Sequence, residues 1–132
     1  MAKFSQLDKK KLQAMIREQP LLVDRVLGET AIGIVEDAQK SMGSSPPGAS
    51  YKRGKIVHVA SKAGYPPNVD TGALRASLRF RKVSNGYRVE DGMEYGYYLE
   101  VGTSRIKPRP FLRPAFERAK DRFIARIREG LK

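Results

Sequence analysis

A chain of 132 residues has room for one domain with a modest core, since only 40% of its residues are apolar and Trp is absent. The absence of Cys excludes disulfides and thiolate metal sites, no run approaches the roughly 20 apolar residues of a membrane helix, and Met1-Ala2-Lys3-Phe4-Ser5 lacks the apolar stretch of a signal peptide. The net charge of +12 is uneven: residues 1–48 carry 7 basic and 6 acidic side chains, 49–104 carry 9 and 5, and 105–132 carry 10 and 3. The expectation is a single soluble domain with no membrane partner, whose basic balance suits a polyanion, a solvated face or an acidic protein neighbour.

Residues 1–42 read as a helical part. Ser5 followed by Asp8 comes close to a capping box, and Leu7, Leu12, Met15 and Ile16 form a partial helical stripe. Pro20 suits the first turn of a second helix, in which Leu22, Val23, Val26, Leu27, Thr30, Ile34 and Val35 recur at helical spacing. Gly28 and Gly33 weaken that helix and are expected where a neighbour packs closely; Gly43 is its expected stop.

Residues 43–69 hold many Gly, Pro and Ser residues, with Lys52, Arg53, Lys55 and Lys62 among them. They read as a mobile arm or a long hairpin that needs a partner for order, in which Ile56-Val57-His58-Val59 is a short strand. Residues 70–132 open with Asp70 as N-cap of a short helix through Thr71, Gly72, Ala73, Leu74 and Arg75. A hairpin follows. Leu78 and Phe80 alternate with Arg79 and Arg81, Tyr87 and Val89 alternate with Arg88 and Glu90, and Ser84-Asn85-Gly86 supplies the turn. Glu94 to Val101 is expected to make one or two helical turns ended by Gly102. A basic loop, 103–109, leads to a final helix from about Pro110 to Leu131, with a stripe of Phe111, Leu112, Ala115, Phe116, Ala119, Phe123, Ile124, Ile127 and Leu131. The expected class is α+β: long N- and C-terminal helices packed on a small antiparallel sheet, with a long Gly/Pro-rich arm.

Catalytic chemistry finds little purchase. His58 is the one histidine and has no recognisable Ser or carboxylate partner, so a surface or interface role is expected. Glu90, Asp91, Glu94 and Glu100 cluster in sequence without the spacing of a magnesium-dependent nuclease; Glu90 and Glu94 are expected to balance nearby arginines. No phosphate-cradling glycine run occurs. Tyr95, Tyr97 and Tyr98 suit core and interface more than base stacking. The reading is of a non-enzyme without cofactor or metal.

Three segments carry a family likeness: Pro67-Asn68-Val69-Asp70-Thr71-Gly72-Ala73-Leu74-Arg75-Ala76-Ser77, Tyr95-Gly96-Tyr97-Tyr98-Leu99-Glu100-Val101-Gly102-Thr103, and Arg109-Pro110-Phe111-Leu112-Arg113-Pro114-Ala115. In this order over residues 65–116 the chain resembles the gene-product-ten-like family of tailed phages, minor virion proteins of the head–tail connector, neck or completed tail. Val101 stands where that family commonly has an aromatic. The resemblance implies a structural virion protein of a tailed bacteriophage or prophage that joins tail to head or completes the tail. It implies a ring of identical subunits, a hexamer or related ring, beside other neck and tail proteins. Its place would be the virion, at the head–tail junction or tail end, after assembly in the host cytoplasm. Asp70, Thr71, Gly72, Tyr95, Tyr98, Glu100, Gly102, Thr103, Pro110, Phe111 and Pro114 would then be motif or interface residues.

The physical expectations for that motif are scaffolding ones. Gly102 ends a turn with a left-handed backbone, Glu100 accepts from backbone N–H groups or from Arg105 and Arg109, Pro110 and Pro114 set the start of the last helix, and Phe111 buries it. Lys52, Arg53, Lys55, Lys62, Arg105, Lys107 and Arg109 are candidate contacts to DNA or to a protein partner. The alternative reading is accordingly a basic nucleic-acid-binding module that contacts phage DNA.

Overall fold

The computed structural model describes residues 3–53, 55–68 and 72–131, the side chains of 49, 51–53 and 56–58 excepted. Among these the order is α1 (Gln6–Glu18), α2 (Pro20–Ser41), β1 (Pro47–Arg53), β2 (Ile56–Ser61), α3 (Ala73–Ser77), β3 (Arg79–Val83), β4 (Gly86–Glu90), α4 (Glu94–Val101) and α5 (Leu112–Arg128). The class is α+β. The strands make two separate antiparallel pairs, β1–β2 and β3–β4, in place of the single sheet expected.

The frame is an antiparallel pair of long helices. Toward the end of α2, Ile34, Val35, Ala38 and Met42 pack with Phe111, Ala115 and Ala119 of α5 and its cap, and Leu74 and Leu78 join them. Near the start of α2, Val23 and Val26 pack with Ile127 and Leu131 at the other end of α5, where Met15 of α1 completes the cluster. Two ion pairs follow the same register: Arg118 Nε meets Asp37 Oδ2 at 2.8 Å, and eight residues on, Arg126 Nη1 meets Glu29 Oε2 at 3.6 Å. With a rise of 1.5 Å per residue, the 17-residue α5 holds its two ends about 25 Å apart.

The helical stripes are narrower than their sequence suggests. Leu7 (76% exposed) and Ile16 (49%) of α1 and Phe116 (54%) of α5 were expected on buried faces. Each helix is covered on one side only, and these residues sit beyond the edge of the covered strip. The final helix is also shorter than 110–131, because Phe111 is its N-cap and Gly130 (φ +81°) and Leu131 (φ +62°) turn the chain out of it. Leu131 itself is buried.

The β3–β4 hairpin lies against α2. Ser84 and Asn85 form its two-residue turn, with Val83 opposite Gly86. Lys82 Nζ reaches Asp24 Oδ1 at 3.1 Å, and Tyr87 Oη donates to Asp24 Oδ2 at 3.4 Å. Gly28 admits the Tyr87 ring, since a Cβ there would lie 3.1 Å from the hydroxyl; Gly33, by contrast, faces open space. Glu90 pairs with Arg79 and Arg81, which hold its carboxyl below the usual range, the hydrogen bond from Arg79 being the main cause.

The arm is a hairpin, the second of the two forms its composition allowed. Its register runs from Arg53 opposite Ile56 to Pro47 opposite Ser61, with an irregularity between Pro47 and Ser50. Gly48 permits that close approach, because a Cβ would stand 2.5 Å from the Ser61 carbonyl oxygen. The short helix α3 starts at Ala73, and Gly72, with φ +85°, occupies the cap position for which Asp70 was expected. Asp70 and Thr71 lie outside the described residues.

At the N-terminus the capping box forms in full. Asp8 N–H donates to Ser5 Oγ at 3.1 Å and Ser5 N–H donates to Asp8 Oδ2 at 3.0 Å. Arg128 then grips the same buried carboxylate with two hydrogen bonds of 2.9 Å, and Lys11 donates to the Arg128 carbonyl. The Arg128 hydrogen bond and the Ser5 N–H depress the Asp8 pKa strongly. A carboxylate depressed in the folded state stabilises the fold above its unfolded value of about 3.9, and this contribution is lost as the pH falls through the folded value. The thermal midpoint of the native chain should therefore fall more between pH 5 and pH 2 than that of Asp8→Asn; equal slopes by scanning calorimetry would refute the role given to Asp8.

Candidate functional site

The strongest structural signal lies where α4 meets α5. Asp91 Oδ1 accepts from Met93 N–H at 3.1 Å and turns the chain into α4. At the other end of α4, Gly102 N–H donates to the Tyr98 carbonyl at 2.8 Å and the backbone leaves with φ +79°. Glycine is required there twice over, for that φ and because a Cβ would lie 2.8 Å from Pro108 Cδ.

Glu100 performs the first of the two roles its sequence context allowed. Its Oε2 accepts from Phe111 N–H at 2.7 Å and Leu112 N–H at 3.3 Å, and its Oε1 accepts from Arg113 N–H at 2.6 Å. Pro114, next in line, has no N–H to satisfy. One carboxylate on α4 thus takes the orphan donors of the α5 N-terminus and places negative charge at the positive end of its dipole. Phe111, fully buried, anchors the same turn, and Pro110 is half-buried before it.

The loop between the two helices is tied down along its length. Thr103 N–H donates to the Ile106 carbonyl at 2.8 Å, while Thr103 Oγ1 accepts from Arg105 N–H at 3.2 Å and Ile106 N–H at 3.1 Å. Arg109 N–H donates to the Leu99 carbonyl at 2.6 Å, and its Nε reaches the Ser61 carbonyl at 3.3 Å. Arg109 is therefore a tie to the root of the β1–β2 hairpin. Arg105 and Lys107 are exposed, as are Lys55 and Lys62 on the hairpin; Lys52 and Arg53 lie on β1, their side chains outside the described set.

The outer face of this unit is aromatic. Tyr95, Tyr97, Tyr98 and Val101 of α4 stand in solvent, with Tyr97 65% exposed and set edge-on to Tyr98 at a ring separation of 5.7 Å. Tyr95, Tyr98, Leu99, Thr103 and Ile106 wall an open apolar groove of about 410 Å³. The tyrosines were read as core or interface residues; their exposure takes them out of the core. Leu99 and Ile106 complete the groove and were not singled out beforehand, since nothing local shows that loop closure by Thr103 brings Ile106 beside α4.

Among the described residues no group of three or more His, Asp or Glu side chains is placed to hold a metal ion, and no helix is long and apolar enough to cross a membrane. Glu90 is engaged with arginines, Asp91 with the α4 turn and Glu100 with α5. The arrangement holds elements in place and presents an apolar surface. Comparison with family models, with curated proteins and with solved structures gives no match.

Glu100→Ala should lower stability by about 1–3 kcal/mol in chemical denaturation, because the donors of the α5 first turn lose their acceptor. Glu100→Gln, which keeps an acceptor oxygen but not the charge, should cost less. Equal midpoints for the native chain and Glu100→Ala would show that solvent caps α5 as well as the carboxylate does.

Proposed function

We propose that the chain is a structural virion protein of a tailed bacteriophage or prophage, one that completes the tail or joins it to the head as a ring of identical subunits. The phage assignment rests on the likeness of the three segments between Tyr65 and Phe116. In two of them the structure gives motif residues physical work: Glu100 caps α5, Gly102 and Thr103 shape the loop, and Phe111 anchors the helix start.

The assembly assignment is carried by one observation, a pair of unlike apolar surfaces at opposite ends of α5. The tyrosine-walled groove lies at its N-terminal end. At its C-terminal end, around the α1–α2 corner, Leu21 is 86% exposed and Ile16, in the last turn of α1, is exposed as well. A subunit with two different sticky ends about 25 Å apart associates head to tail, and head-to-tail contacts close into rings when the rotation permits. The occupant of the groove, on this reading, is the α1–α2 corner of a second copy. A hexamer follows the family pattern.

Light-scattering mass at high concentration tests the contact. Tyr98→Asp and Leu21→Asp should each stop assembly, while a mixture of the two should yield heterodimers only, since one intact groove then meets one intact corner. Homodimers that both variants abolish, with no complementation on mixing, would point to a symmetric contact. Mass spectrometry of purified virions should find the protein at a few copies per particle; its absence would overturn the virion reading.

A further inference from the structure

We propose that the β1–β2 hairpin, from Lys55 at its tip to Lys62 at its root, and the 103–109 loop form one cationic surface that takes the phosphate backbone of double-stranded nucleic acid. Two stretches of the chain, 43–68 and 101–116, together hold eight of the 26 basic residues and none of the 14 acidic ones. They are some 40 residues apart in sequence, and the fold brings them together. Gly64 N–H donates to the Pro108 carbonyl at 2.9 Å, and Arg109 Nε reaches the Ser61 carbonyl at 3.3 Å. Lys62 N–H donates to the Pro46 carbonyl at 2.7 Å and Ser45 Oγ to the Pro66 carbonyl at 2.7 Å, which closes the hairpin root against slippage.

The pairing of charges separates this surface from the other basic region. On α5, Arg118, Arg126 and Arg128 are each matched by a carboxylate, Asp37, Glu29 and Asp8. Lys55, Lys62, Arg105 and Lys107 are exposed, and among the described residues none of them has an acidic partner. The C-terminal helix carries six basic residues, and half of them are matched by a carboxylate within the fold. Along the hairpin and the loop the unmatched positive charge stands with no carboxylate in either stretch, and like charges there repel until a polyanion or its counterions arrive.

Charge density selects the partner. The six-residue β2 spans about 20 Å, along which a duplex presents about twelve phosphate charges at one per 1.7 Å. Acidic protein surfaces mix both signs and seldom offer that density. A single strand would need bases stacked on aromatic rings within the cationic track. Along that track one described ring, Tyr65, is exposed, where a stacked strand needs several; the tyrosines of α4 instead wall the apolar groove, whose lining contains no basic residue.

Fluorescence anisotropy with a labelled 20-base-pair duplex, read against salt, tests this surface on the full chain. Four neutralised phosphates give a slope of about −3.6 in log affinity against log salt, so binding should weaken about 150-fold from 50 to 200 mM. The variant Lys55→Ala/Lys62→Ala/Arg105→Ala/Lys107→Ala should remove most of that slope with an unchanged thermal midpoint; Lys9→Ala/Lys10→Ala, on α1, should leave it intact. A slope that survives the fourfold variant overturns the proposal. So does tighter binding to a single strand of equal length, to vesicles containing phosphatidylserine, or to polyglutamate. Light scattering at the same concentrations reports the oligomeric state separately, so loss of the ring reading and loss of this one are distinguishable.

Discussion

Alanine lines the seam between α2 and α5 where the larger core cluster forms, with Ala38, Ala115 and Ala119 all buried there. Small side chains let two helices approach closely, and the bulkier Phe111 and Ile34 pack into the same buried cluster. The exposed ion pairs along the seam contribute little energy singly, but two of them in one register leave the helices a single way to slide together. Everything else is attached to one end or the other of this pair. Asp8 and Arg128 fasten α1 at the α5 C-terminus; Glu100 fastens α4 at its N-terminus; Asp24 holds the β3–β4 hairpin to α2.

The Glu100 attachment has the widest consequences, because α4 is short and could not hold its orientation alone. Three charge-assisted hydrogen bonds fix α4 relative to the helix it caps, and the Arg109 N–H to Leu99 carbonyl bond fixes the returning chain. The aromatic groove therefore sits on a rigid support. A partner that docks there meets a surface already ordered, and less of the binding free energy is spent on ordering it.

Local chemistry was legible in the sequence wherever the relevant groups are near neighbours in the chain. The Ser5–Asp8 capping box, Pro20 at the start of α2, the Ser84-Asn85-Gly86 turn and the positive φ of Gly102 all follow from residue types at fixed offsets. Glu100 was legible as an acceptor, though its choice between backbone and arginine depended on where α5 begins. The long-range ties were not. Nothing near Asp8 points to Arg128, 120 residues on, and nothing near Ser61 points to Arg109. Periodicity shows which side chains share a helix face, whereas coverage by a neighbour decides whether they are buried. That is why Leu7, Ile16 and Phe116 stand in solvent despite helical spacing. Gly and Pro density in 43–69 likewise obscured β1, although its pairing with β2 is that of a local hairpin turning between Arg53 and Ile56.

Charge and assembly bear on one another in a way neither proposal contains alone. A subunit with a net charge of +12 repels its copies, so contacts between subunits must be apolar and must bury few of the unpaired cations. The groove and the α1–α2 corner meet the first condition, although the groove shares the 103–109 loop with Arg105 and Lys107, which flank Ile106 in its wall. A polyanion bound at the unpaired cations would lower the repulsion between subunits, and a ring would in turn gather many cationic surfaces around one polyanion. Thermodynamic linkage makes the two effects equal in size: whatever factor nucleic acid gives to ring closure, ring closure gives to nucleic-acid affinity.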